Sequence, residues 1–163
     1  MLLEMKVYGL TIDPLTNAPI VILKDLEEKN ALPVWIGVLE ASAIASELEK
    51  VHFSRPMTHD LVKEILKRVD ATVEKVEVND LKDNVYYATI YMVTKAGNFS
   101  LDARPSDAIA LALRASAPIF VDTCVLDKSK NIDMRTDKKE KDSKTAAAKL
   151  EDLSPEDFTK YKM

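Results

Sequence analysis

Asp102, Arg104, Ser106 and Asp107 crowd around Pro105 in the stretch LDARPSDAIALALR, residues 101–114, and no further charge follows until Arg114. Two carboxylates, a guanidinium and a hydroxyl at this spacing could bind an anion, hold a divalent cation or supply a base. A second cluster repeats the pattern: SRPMTHD at 54–60 offers Arg55, Pro56, Thr58, His59 and Asp60. A further acid, Glu40, lies in WIGVLEASAIA among small apolar neighbours. At that place it either favours the positive end of a helix or faces Arg55 or Arg104.

Each of these residues also has a plain structural use. Proline is tolerated at the first position of a helix, and Ser106 and Asp107 then accept from free amides in the first turn. Arg104 beside Asp102 and Asp107 is most simply an ion pair fastening strand to helix. A lone histidine next to an aspartate at a helix start is more often a cap or surface residue than a base. Trp35 has no basic or aromatic residue interleaved with it and reads as core or interface rather than as a platform for bases. What exceeds ordinary capping is the repetition: two Arg-Pro corners, one carrying a histidine, are expected to converge.

The elements that would position these groups follow from periodicity. Residues 2–12 alternate as a strand, PIVILKD gives a second, and ALPVWIG, with its internal proline, suits an edge. From Val38 the period becomes helical, placing Leu39, Ala43, Ile44 and Leu48 on one side. THDLVKEILKRV forms another helix with Thr58 as the expected N-cap and Leu61, Ile65, Leu66 and Val69 on its apolar face. Residues 72–103 read as a three-stranded meander that delivers the chain into the helix beginning RPSDA, and PIFVD is a last short strand. The expected class is α+β: two successive strand-then-helix units, an antiparallel or mixed sheet, and buried helices. Residues 1–126 form the domain, and 127–163 read as a charged linker with a short terminal helix at LSPEDFTKY, capped by Ser154 and Pro155.

Composition narrows the function. The chain has 163 residues, 47% of them hydrophobic and 31% charged, and a net charge of −4. An acidic body disfavours a broad nucleic-acid surface and leaves room only for a local basic site. No run approaches the roughly 20 apolar residues of a membrane span, and Glu4 and Lys6 interrupt the start where a signal peptide would be apolar. The cytoplasm is therefore the expected compartment. Cys124 is the single cysteine, which excludes an internal disulfide and a thiolate cluster. There is no HExxH, CxxC or glycine-rich phosphate loop, and RPSDA is not the turn of a serine hydrolase.

The segments LPVWIGVLEASAIA, RPMTHDLVKEIL, YYATIYM and above all LDARPSDAIALALRASAPIFV resemble the bifunctional nuclease (BFN) family. The final LSPEDFTKY is similar to the end of its small stand-alone bacterial members. This resemblance implies a compact, commonly self-associating α+β domain, with a dimer favoured, and a nuclease acting on DNA, RNA or both. Motif position and chemistry together then nominate Glu40, His59, Asp60, Asp102 and Asp107 as catalytic. Arg55, Arg104 and Ser106 are nominated for substrate binding. The carboxylates would hold a divalent cation, Mg²⁺ or Mn²⁺, and no organic cofactor is expected. The competing reading is a non-catalytic, self-associating module that binds a small anion or a partner protein through the same Arg/Asp clusters.

Overall fold

The computed structural model describes residues 1–136. Within them the chain runs β1 (Leu2–Ile12), β2 (Pro19–Asp25), β3 (Ala31–Trp35), α1 (Val38–Leu48), α2 (Thr58–Arg68), β4 (Thr72–Lys82), β5 (Val85–Thr94), β6 (Gly97–Ala103), α3 (Pro105–Ala115), β7 (Ile119–Asp122) and α4 (Thr123–Thr136). The seven strands form one mixed sheet in the order β3-β2-β1-β7-β4-β5-β6. All pairs are antiparallel except β4 with β7. The class is α+β, and β3 is an edge strand, which accommodates Pro33.

β7 is the short strand that joins the two strand-then-helix units. It pairs with β1 on one side and β4 on the other. Its Ile119 and Val121 enter the core with Met5, Val21, Leu23, Leu32, Val34, Val76, Val78, Ala88 and Ile90. The sheet also curls strongly. Tyr86 on β5 donates its hydroxyl to the Pro33 carbonyl on β3 at 3.1 Å, although four strands separate the two in the sheet order. In a flat sheet those strands would stand roughly 24 Å apart. The curl brings the β4–β5 turn to the end of β3.

α3 is the central helix. Ala108, Ile109, Ala110, Leu111 and Ala112 are all buried, because small and branched apolar residues let it pack on the sheet and on α1 and α2 at once. Its last turn closes through Ser116 in the left-handed region (φ 54°), with the Ala117 amide donating to Ala112 O. α1 and α2 are likewise followed by left-handed non-glycine residues, Lys50 and Asp70.

Four local expectations are corrected by the packing. In α1 the buried residues are Ala41, Ile44 and Ala45, while Leu39 and Leu48 are exposed; α3 covers a narrower stripe than periodicity alone suggests. In α2 no residue is fully buried. Leu61, Ile65 and Val69 are half-exposed or more, and Leu66 reaches the core. The residue before α2 is Met57, not Thr58, and its amide donates to Asp60 Oδ2 at 2.9 Å. The stretch from 127 is helical through Thr136, because Val125, Leu126 and Ser129 pack inward. The LSPEDFTKY segment lies outside the described residues.

What holds α2 is therefore a polar tie to α3. Arg114, its side chain 3% exposed, donates from Nε to Asp60 Oδ1 at 2.6 Å. Its other nitrogens reach Ala110 O at 3.0 Å and Ser46 Oγ at 3.4 Å. Removing one partner of such a pair strands the other. Arg114→Ala should cost about 3 kcal/mol in urea unfolding at neutral pH, near the lower end of the range for buried pairs because water can reach Asp60. Replacing both residues, Asp60→Ala with Arg114→Met, should cost less than Arg114→Ala alone.

Candidate functional site

The two Arg-Pro corners meet, but not through their arginines. The contact between them is His59 Nε2 with Asp107 Oδ1 at 3.0 Å, across the α2–α3 interface. Asp107 uses its second oxygen on Arg104 Nε at 2.7 Å, and Arg104 Nη1 donates to Glu40 Oε1, also at 2.7 Å. One continuous chain of hydrogen bonds thus runs Glu40–Arg104–Asp107–His59 and gathers the starts of α1, α2 and α3.

Local sequence explains each position. Arg104 is the N-cap of α3 with an extended backbone (φ −67°, ψ 141°) and Pro105 as the first helical residue, so its side chain leaves the helix mouth rather than packing along it. Asp107, three residues on, lies in the same first turn. Gly37 is the N-cap of α1, and a Cβ built on it would collide with the Glu40 carboxylate. The missing side chain is what lets Glu40 fold back over the helix start.

Burial opposes the charge on Asp107, yet the hydrogen bonds and charges of Arg104 and His59 outweigh it and hold the carboxyl below its ordinary value. The same balance holds Asp60 low: burial raises its pKa, and Arg114, the Met57 amide and His59 more than compensate. Arg104 is held above its ordinary value by Asp107 and then Glu40. With Asp107 ionised, His59 donates through Nε2–H, which leaves Nδ1 as the basic nitrogen.

Arg104 is not sealed in this network. Its side chain is 66% exposed and borders a groove of about 360 Å³ that Glu40 and Ser106 also line. Ser106 itself is buried in the first turn of α3. Asp102 is set apart. It pairs in register with Thr89, between the inward-facing Ala88 and Ile90, so it lies on the outer face of the sheet. The expected Asp102–Arg104 pair is absent among the described residues, and Glu40 takes its place. Arg55 is exposed and makes no ion pair among the described residues.

The acids do not form a three-donor metal set: among the described residues no group of three or more His, Cys, Asp or Glu side chains could hold an ion. Asp107 has both oxygens engaged, Asp60 likewise, and Glu40 is committed to Arg104. As arranged, the residues do not fit a carboxylate-held Mg²⁺ or Mn²⁺.

The Bifunctional nuclease domain matches residues 21–133, which include every member of this network. The chain belongs to that family. An uncharacterized protein of Mycobacterium tuberculosis (strain ATCC 25618 / H37Rv) is 32% identical over 166 residues, covering 95% of this chain and 97% of the relative. Bifunctional nuclease 1 of Oryza sativa subsp. japonica is 34% identical over 107 residues, 62% of this chain and 32% of that protein. Bifunctional nuclease 1 of Arabidopsis thaliana is 33% identical over 109 residues, 63% and 33% respectively. The plant matches thus span about a third of their own length.

Three participants in the arrangement carry no local signal in the sequence, Arg114, Ser46 and Tyr86, each bonded to residues distant in the chain, and Asn84 enters as a groove-lining residue. In the sequence Gly37 shows only as a residue suited to a strand-to-helix corner. Gly37→Ala, whose backbone angles suit alanine, should leave the fold intact and swing Glu40 off Arg104. A crystal structure of the variant checks the displacement, and its urea unfolding midpoint should stay close to the parent's, as for an exposed ion pair.

Proposed function

We propose that this protein is a nuclease that hydrolyses phosphodiester bonds with His59 as the proton-transfer group and Arg104 as the anion-stabilising group. The observation that carries the reading is the Glu40–Arg104–Asp107–His59 chain, open to solvent at Arg104. Family membership supports the reaction class. Asp107 orients His59 by holding its Nε2. His59 Nδ1 takes the proton of the attacking water or 2′-hydroxyl; as the P–O bond breaks, His59 returns a proton to the leaving oxygen. Arg104, fixed between two carboxylates, presents Nη2 to the charge that grows on phosphorus-bound oxygen. The α3 amides add positive potential at the same place.

The reading places the enzyme in the cytoplasm as a self-associating molecule. Among the described residues no helix is long and apolar enough to cross a membrane. The exposed Leu61, Ile65 and Val69 on α2 supply an apolar stripe for a second copy. Ile65→Glu should then lower the mass in light scattering without lowering the melting temperature.

One observation favours the non-catalytic reading: Arg104 already has two carboxylate partners, as a structural clasp would. The two readings separate in one experiment. On single-stranded DNA and RNA, with Mg²⁺, with Mn²⁺ and with EDTA, His59→Ala should lower cleavage roughly 10²–10⁴-fold and Arg104→Ala roughly 10²–10³-fold. Both variants should keep the parent's circular dichroism, with His59→Ala melting lower because it removes one of the two ties between α2 and α3. Cleavage equal in parent and variants sinks the assignment, and binding without turnover establishes the scaffold.

A further inference from the structure

The groove beside Arg104 reaches the end of β3. Trp35 forms one wall, Asn84 and Tyr86 at the β4–β5 turn form the other, and Glu40, Arg104 and Ser106 close it. At about 360 Å³ it is within the size of sites for small organic ligands. Only the curl of the sheet, fixed by the Tyr86–Pro33 hydrogen bond, sets these walls opposite each other.

Trp35 is 42% exposed, and its indole Nε1–H is already donated to Asp13 Oδ2 at 3.0 Å. Its polar atom is therefore spent and its ring orientation fixed. What remains for the groove is a flat π face. Asn84, held in a tight turn with φ 63°, brings an amide with both donor and acceptor. Arg104 brings Nη2, which lies outside both of its ion pairs. A stacking face, an amide and a guanidinium match the three parts of a nucleotide: a ring, its polar edge and its phosphate.

We infer that the groove seats one unpaired nucleotide, its base stacked on Trp35 and its phosphate at Arg104. The inference rests on the nuclease reading and deepens it by naming the substrate: single-stranded nucleic acid, because a base inside a duplex has no free face to offer the indole.

Trp35 is the single tryptophan of the chain, so intrinsic tryptophan emission reports on this groove alone. The probes are AMP, ribose 5-phosphate, a thymidine oligonucleotide and an abasic oligomer of the same length, with emission corrected for nucleotide absorbance. AMP and the thymidine strand should quench saturably, while ribose 5-phosphate and the abasic strand should not. By calorimetry, Trp35→Ala should weaken binding of the thymidine strand roughly 5- to 150-fold, the range of one base stacked on an aromatic ring. Trp35→Phe should retain most of the affinity, which separates stacking from a folding defect.

Equal binding of base-bearing and abasic probes, preference for duplex, or no quenching at any concentration overturns the inference. Histidine- and arginine-dependent cleavage without base-dependent quenching removes the subsite and leaves the nuclease reading standing. Base-dependent quenching without any cleavage supports the subsite and removes the catalysis.

Discussion

The Asp60–Arg114 ion pair and the His59–Asp107 hydrogen bond join α2 to α3, and the place of His59 beside Asp107 depends on them. α2 buries none of its residues fully, so the hydrophobic effect that seats α3 does little to seat its neighbour. Charge does it instead, and that makes the joint sensitive to acid. Both aspartates are held below their ordinary value of 3.8 in the folded protein. A depressed carboxylate contributes stability that is present above the unfolded pKa and is lost as pH falls through the folded one. The α2–α3 joint is therefore intact through neutrality and weakens only in acid below the usual carboxylate range, where His59 would also lose the partner that orients it.

Asp107 serves two neighbours at once, and the double use explains why the network is stiff. One oxygen fixes the Arg104 guanidinium and the other fixes the His59 ring, so neither can reorient without breaking a charge-assisted hydrogen bond. Glu40 completes the clasp from a third helix, in space that a side chain at position 37 would occupy. Rigid donors held by supporting contacts are what electrostatic stabilisation of a transition state requires, since little reorganisation remains to be done as charge moves. The same contacts stabilise the fold, which is why a structural and a catalytic account of these residues lean on one geometry.

The legible parts of this architecture are those written in local periodicity. The strands from 2 to 25 and from 72 to 103 follow from alternation, and the opening of α3 follows from Arg104, Pro105 and Asp107. Pairings across the chain were beyond its reach. Asp102 is near Arg104 in sequence, yet strand parity turns it to the outer face, while Glu40 arrives from 64 residues away. The amphipathic pattern of α2 announces a helix but not whether anything covers Leu61 and Ile65. Arg114 at the end of an apolar helix gives no hint of Asp60, and Trp35 seemed to lack basic and aromatic company only because Arg104 and Tyr86 reach it through the curl of the sheet. The helix ends at Lys50, Asp70 and Ser116 were obscure for a simpler reason, since none uses the glycine that usually marks a left-handed cap.

The charge balance around Arg104 also bears on how a substrate would be gripped. Glu40 and Asp107 together outweigh the single guanidinium, so a phosphate approaching Nη2 meets a weak field, not a strongly positive one. The body of the protein is acidic as well. Affinity built from phosphate contacts alone would be low, and few counterions would be released on binding. A nucleic acid held here must draw its binding free energy from elsewhere, and the flat face of Trp35 is the apolar surface placed to supply it. Stacking costs no charge, tolerates an acidic setting and demands an unpaired base. An acidic protein can thus act on a polyanion, provided the polyanion is single-stranded and is recognised by a ring first and by its phosphate second.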